Sequence, residues 1–344
     1  MRSAAQLAGP YDAHIWTGKR WRTVGVIDPR GVDSVLASSS APGRVYATTQ
    51  DRRLYRGEGA SVRWRQSSTR IPGKLVAARG TRSEVIYAAK RALYESHDRG
   101  SSWRRLSCGL VISDVAIAGG NPRVIYVAAN APDSHTTRKI GGLYRTRDGG
   151  RTWKRFINFP KPNPDEPLID VVAVDPHSPD NVFLGAYGGG IVQSTDGGRH
   201  WRFLPVGHPE TGLDGPQVGR LAFGPGARPM LWAASSQGVF RGDSAGRTWS
   251  RTGLTASAFE VVPDPRNRQL VFALTTDTQL QVRMRTVDGG RHWLRMTGLP
   301  HQIEGLTVGK ADGSVYAWGG RSIYCSRDHG VTWTRLPPLP RPSP

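Results

Sequence analysis

Seven ionisable residues stand at nearly the same place in a repeating pattern: Asp33, Lys74, Asp114, Asp170, Arg220, Glu260 and Glu304. Each opens a short, mainly apolar run, and aligning the runs sets five carboxylates and two cations on a common circle. Two carboxylates brought ~5–10 Å apart have the separation that glycoside hydrolysis uses for its acid and its base or nucleophile. Asp33, Asp114, Asp170, Glu260 and Glu304 are therefore the catalytic candidates if the chain is an enzyme, and Lys74 and Arg220 are candidates for holding an anionic group. The plainer reading is that a repeat copies whatever residue its ancestor carried, and that such an Asp bonds the backbone of a neighbouring strand.

A circle of this kind needs a scaffold that repeats, and the chain writes one. The phrase (S/T)-x-D-x-G-x-(T/H)-W occurs, with small departures, at 96–103, 146–153, 194–201, 242–249, 286–293 and 326–333, with a worn copy at 57–64 and a fainter one around Gly18 and Trp21. Its tryptophans, from Trp21 to Trp333, lie 39 to 50 residues apart, the period of a propeller or a similar array. Asp-Gly between two β-prone runs is a hairpin signal, because glycine reaches positive φ without a Cβ clash and the carboxylate accepts nearby backbone N–H groups. Around each phrase lie four short strands separated by turn residues. Seven such sheets cannot bury both faces unless they stack on one another, and closing them into a ring does so.

The expected fold is therefore all-β, a single seven-bladed β-propeller of four-stranded antiparallel blades. The expected organisation is an N-terminal segment at 1–24, a propeller at 25–336 and a proline-rich tail at 337–344. The strand at 21–24 is expected to close the ring by pairing with the last blade, although that blade already owns 333–336; an incomplete eighth blade is the alternative. The tail should run out as polyproline or disorder.

Two insertions hang over the mouth where the inner strands begin. Residues 158–168 carry Asp165 and Glu166 among four prolines, and 205–217 carry His208, Glu210 and Asp214. Extended loops on a rigid ring are where binding usually lives, so Asp165, Glu166, His208 and Glu210 join Lys74 and Arg220 as binding candidates. A third insertion, 130–140, enters from the opposite face.

Composition bounds the rest. No apolar run in the 344 residues approaches the ~20 needed to cross a bilayer, and the first residues lack the apolar core of a secretory signal. No membrane span is expected and the compartment is left open. Cys108 and Cys325 fall in blades that are not neighbours, which argues against a disulfide and supplies no metal site. No cofactor is expected, and the chain reads as a monomer. The net charge of +20 comes from forty arginines and seven lysines against 27 acids. It reads either as a solvated rim or as a surface for an anionic partner such as an acidic protein or a glycan. No nucleic-acid module accompanies it, which argues against DNA or RNA.

The repeated phrase resembles the Asp-box, or BNR, repeat of sialidases, sortilin-type receptor propellers, xyloglucan-cleaving glycoside hydrolases and photosystem II assembly-factor propellers. The resemblance covers residues 11–336. It implies that Asp98, Asp148, Asp196, Asp288 and Asp328 are structural and sit on the outer part of the blades. In the fifth copy Ser244 stands where Asp belongs, with Asp243 beside it, which should weaken that turn. Arg70-Ile71-Pro72 is similar to a sialidase motif but follows a box instead of preceding the first one, and neither a Tyr–Glu pair nor an arginine triad can be assigned. Function is therefore expected to be a non-enzymatic binding or assembly scaffold presenting a charged face to a protein or other anionic partner. The alternative is a glycoside hydrolase or lyase, sialidase- or xyloglucanase-like, using paired carboxylates at the channel mouth.

Overall fold

The computed structural model describes residues 5–340 apart from 8–11, 17–20, 27–30, 60, 72, 78–83, 91, 107–110, 131–141, 157–168, 187–189, 205, 207–215 and 277–280, and before residue 31 the backbone of the strands alone. Seven four-stranded antiparallel sheets follow one another, each a meander in chain order, and no described residue is helical. Their innermost strands are Val32–Ala37, Lys74–Ala77, Val111–Ile117, Ile169–Val174, Val218–Phe223, Ala258–Pro263 and Gly305–Val308, and the blades are numbered 1 to 7 in that order. The core lies between blades. Val171 and Phe183 of blade 4 pack with Leu221 and Leu231 of blade 5, and Val32 and Val45 of blade 1 pack with Tyr316 and Ile323 of blade 7. The last cluster closes a seven-bladed β-propeller.

Second strands are covered on both faces, so they read as continuous apolar runs; Val45–Thr49 is buried at every position. Each carries one large aromatic at the same place: Tyr46, Tyr87, Tyr126, Phe183, Trp232, Phe272 and Tyr316, none more than 2% exposed. Small residues often stand opposite, Ala116, Ala173 and Ala222 facing Tyr126, Phe183 and Trp232, so the wedge fills the inter-blade gap without crowding its own sheet. The outermost strands of blades 2 to 7 are short and mostly exposed, as in Arg104–Arg105 and Leu294–Arg295, whereas that of blade 1 runs over Arg63–Arg70. Short, charged edges discourage pairing with another chain.

The repeated turns hold themselves together. Asp148 Oδ1 accepts the backbone N–H groups of Arg151 and Thr152, its Oδ2 accepts the Thr152 hydroxyl at 2.6 Å, and Gly150 N–H donates to Thr146 Oγ1. In the turns at Asp196 and Asp288 a histidine ring nitrogen, of His200 or His292, takes the hydroxyl's place at 2.6 Å from Oδ2. That explains why Thr and His alternate at this position in the sequence. The fifth turn shifts by one residue: Asp243 takes over from Ser244 and accepts the Arg247 N–H at 2.8 Å.

These bonds have a consequence for acid stability. The Ser102 hydroxyl and N–H hold the Asp98 carboxyl down to about 2. Bonds from Thr152, His292 and Thr332 hold Asp148, Asp288 and Asp328 below the ordinary carboxylate range. Slight burial opposes the charge of Asp196, but bonds from His200, Ser194 and Arg199 bring it down as well. A carboxyl depressed in the folded state contributes stability that is complete above its unfolded value near 3.9 and is lost as pH falls toward the folded value. We expect a melting temperature nearly independent of pH from 7 to 5 that drops below pH ~4, with a shallower drop in Asp98→Asn. Calorimetry showing no drop down to pH 2 would contradict this account of the turns.

Five arginines are engaged between blades. Arg104 donates to Gly149 O at 3.0 Å, Arg145 to Gly197 O at 2.6 Å, Arg202 to Ala245 O at 2.9 Å, Arg241 to Gly289 O at 2.5 Å and Arg285 to His329 O at 3.4 Å. In each case an arginine of one blade caps a carbonyl in the repeated turn of the next. Where the third strand carries Glu95 or Gln193 in place of that arginine, the facing residue of the fourth strand, Arg104 or Arg202, supplies it and bonds the substitute as well. Arg251 lies over the Phe240 ring at 5.8 Å and donates to Gln237 O.

Ring closure differs from the sequence expectation. Trp21–Val26 pairs with Asp12–Trp16, which pairs with Ala5–Leu7, in a separate three-stranded sheet. Blade 7 takes all four of its strands from 305–335, so the strand at 21–24 does not complete it. Blade 7 instead meets blade 1 through the buried cluster, a Val32 N–H bond to Gly320 O at 2.6 Å, and the Trp64 indole, which donates to Pro337 O at 2.9 Å. The start of the proline-rich tail is thus docked, with Leu339 against the same cluster. Cys325 is buried and unpaired, and Cys108 lies outside the described residues. No helix of the described residues is long and apolar enough to cross a membrane.

Candidate functional site

Five inner strands carry a bulge at their start, and the bulge decides which side chains share a level. Pairing skips Asp33 in blade 1, Ser113 in blade 3, Asp170 in blade 4, Gly219 in blade 5 and Phe259 in blade 6. Asp114, Arg220 and Glu260 occupy the next position, opposite Ala128, Ala234 and Leu274, and Lys74 takes the corresponding place opposite Ala89. The sequence alignment therefore merged two levels. Lys74, Asp114, Arg220 and Glu260 share one; Asp33 and Asp170 stand one residue earlier, as does Glu304, just before the paired Gly305 of blade 7.

Six of the seven candidates, Asp33, Lys74, Asp114, Arg220, Glu260 and Glu304, line one cavity of about 520 Å³ running along the channel beside blades 5, 6, 7, 1, 2 and 3. Asp170 is not among its lining residues. Lys90 and Lys310 also line it, so the described cavity holds four carboxylates and four cations. Neither lysine was singled out in the sequence. Lys90 immediately follows the second strand of its blade, a place that an alignment of inner strands does not examine.

Asp114 anchors one wall. It is 4% exposed, and its Oδ1 accepts Lys74 Nζ at 2.9 Å and an Arg220 guanidinium nitrogen at 3.2 Å, while Oδ2 accepts the Val172 backbone N–H of the next blade at 3.2 Å. Burial opposes its charge, but the two cations and the N–H bond outweigh it and hold the carboxyl below its ordinary range. Burial likewise opposes the Arg220 charge, and Asp114 with Glu260 restores it. Arg220 Nε lies 3.3 Å from Glu260 Oε1 without the alignment of a hydrogen bond. A chain of alternating charge, Lys74–Asp114–Arg220–Glu260, thus links blades 2, 3, 5 and 6 across the channel.

The other carboxylates are less committed. Asp33 lies 3.8 Å from Lys90 Nζ, and Glu304 accepts the Gly320 N–H at 3.0 Å. Asp170 is half-buried with no hydrogen bond or ion pair among the described residues, and burial raises its carboxyl above the ordinary range. Asp165 and Glu166 in 157–168, and His208 and Glu210 in 207–215, lie outside the described residues. No group of three or more His, Cys, Asp or Glu suited to a metal occurs among the described residues.

No protein-family model matches the chain. Among curated proteins it is 25% identical over 279 residues to a xyloglucanase of Hypocrea jecorina, an alignment covering 75% of this chain and 30% of that protein. It is 28% identical over 136 residues to a probable oligoxyloglucan-reducing end-specific xyloglucanase of Neosartorya fischeri, covering 39% and 16%. The chain thus spans less than a third of the length of these relatives. Among solved structures it matches the GH74 xyloglucanase of Xanthomonas campestris with a TM-score of 0.66 at 19% identity, covering 91% of this chain and 55% of that one. It also matches YCF48 bound to D1 peptide, with a TM-score of 0.52 at 15% identity, covering 76% and 79%. The seven-bladed propeller is the fold it shares with both.

These relatives overturn the expectation of a non-enzymatic scaffold: the curated proteins similar in sequence are xyloglucanases, which favours the glycoside hydrolase alternative. The physical source of the error is the charge. Five of the forty arginines that suggested an anionic partner are instead bonded to carbonyls of neighbouring blades.

Proposed function

We propose that this chain is a glycoside hydrolase whose substrate lies across the channel mouth. The observation that carries the reading is a single cavity lined by Asp33, Glu260 and Glu304, with a fourth carboxylate, Asp114, neutralised in its wall, in a chain whose curated relatives are named xyloglucanases. Hydrolysis of a glycosidic bond needs one carboxyl that can give a proton and one that is ionised. Asp170 suits the first role, because burial favours its protonated form and no described cation opposes it. Glu260, ion-paired with Arg220, suits the second as base or nucleophile. Asp170 stands on blade 4, between the blades of Asp114 and Arg220, so a sugar reached by both carboxyls must lie over that wall and not thread down the channel. Asp33 and Glu304 are placed to accept sugar hydroxyls, and Asp114 positions Arg220.

The test is release of reducing ends from a panel of polysaccharides headed by xyloglucan. Turnover by the folded wild type supports the proposal; a folded protein inert on the whole panel sinks it.

A further inference from the structure

The cavity that would take the glycan is lined with ammonium groups and is poor in aromatic surface. Its one aromatic lining residue among those described is Trp318, 9% exposed, which leaves little of the flat apolar platform on which a neutral sugar ring packs. Two lysines of blade 2, Lys74 on the inner strand and Lys90 just past the end of the second, line it. Lys74 Nζ uses one bond, to Asp114, and an ammonium has three donors. Lys90 Nζ is 56% exposed and only 3.8 Å from Asp33, beyond hydrogen-bond reach. Such an exposed, long pair contributes little, so a better-placed carboxylate would displace Asp33 from Lys90 at small cost.

We propose that the site prefers a glycan bearing carboxylate groups, a uronate-containing polymer, with Lys90 and the spare donors of Lys74 as the residues that read the carboxylate. This deepens the glycoside hydrolase reading and rests on it. The carboxylate of a uronate residue would take Lys90 on one side and Lys74 on the other, while Asp114 keeps Lys74 fixed. Asp33, released from Lys90, would be left to accept a sugar hydroxyl. Recognition through exposed ammonium groups is screened over ~10 Å at 0.1 M salt, so the preference for an acidic polymer should fade as salt rises.

The experiment compares kcat/KM for xyloglucan, polygalacturonate and glucuronoxylan in wild type and Lys90→Gln at low and high salt, alongside calorimetric titration with an oligogalacturonate. Lys90 is exposed and outside the anchored chain of charges, so its variant should fold. We expect at least one uronate polymer to exceed xyloglucan by about tenfold, an advantage reduced about tenfold in Lys90→Gln and in high salt. Turnover of xyloglucan with no uronate advantage, or equal loss on neutral and acidic polymers in Lys90→Gln, would overturn the inference while leaving the hydrolase reading intact. Oligogalacturonate binding that is lost in Lys90→Gln, with no turnover of any polymer, would keep carboxylate recognition and remove the hydrolase. Neither binding nor turnover would remove both.

Discussion

Asp114→Ala should cost the fold about 3 kcal/mol, because it leaves the Arg220 guanidinium in the channel wall without its main counter-charge. Arg220 is one-quarter exposed and the Lys74 side chain 42% exposed, so the loss should fall at the lower end of the range for breaking a buried pair; water can reach part of what is orphaned. The same change removes the acceptor for the Val172 N–H, one of the hydrogen bonds between blade 3 and blade 4. Because the charges are mutually dependent, the double variant Asp114→Leu with Arg220→Met should be more stable than Asp114→Ala. Chemical denaturation of the three proteins measures this directly. Equal stability of wild type and Asp114→Ala would show that the chain of charges does not hold the ring.

Asp170→Asn and Glu260→Gln carry the second large effect. If Asp170 donates the proton, Asp170→Asn should lower kcat on a polysaccharide by about 10²–10⁴-fold. It should lose much less on an aryl glycoside, whose leaving group departs without protonation. Glu260→Gln should lose activity on both substrates, since base or nucleophile is required whatever leaves. Because burial raises the Asp170 carboxyl, activity should persist above the pH at which an ordinary Asp is fully ionised and then decline as this proton is lost. Equal losses on both substrates in Asp170→Asn, with the fold intact, would take the acid role away from it.

The seven blades were legible because the repeated turn and its tryptophan mark each sheet at a fixed distance from its end. The level of each inner-strand residue was not. Asp33 and Asp114 both open a strand in the sequence, but a single bulged residue moves them onto different levels, and neither neighbour in the chain betrays it. The signal that would have resolved them is the aromatic of the second strand: counted from Tyr46, Tyr126 and Phe272, the residues facing two positions on are Ser34, Asp114 and Glu260. The use of arginine was hidden for a different reason. Its acceptors are backbone carbonyls one blade away, 43–52 residues along the chain, and a carbonyl has no letter in a sequence. Closure failed likewise: Trp21 looked like an edge strand in need of a partner, while Trp64 had its acceptor in Pro337 O.

The most direct measurement is a crystal structure of the Glu260→Gln variant with a bound oligosaccharide from whichever polymer the wild type turns over. Sugar density is expected at the channel mouth, with one ring between residue 260 and Asp170 and with Glu304 or Asp33 in hydrogen-bond contact with its hydroxyls. Sugar bound on the outer rim at the repeated turns, or at the opposite end of the channel, would contradict that expectation.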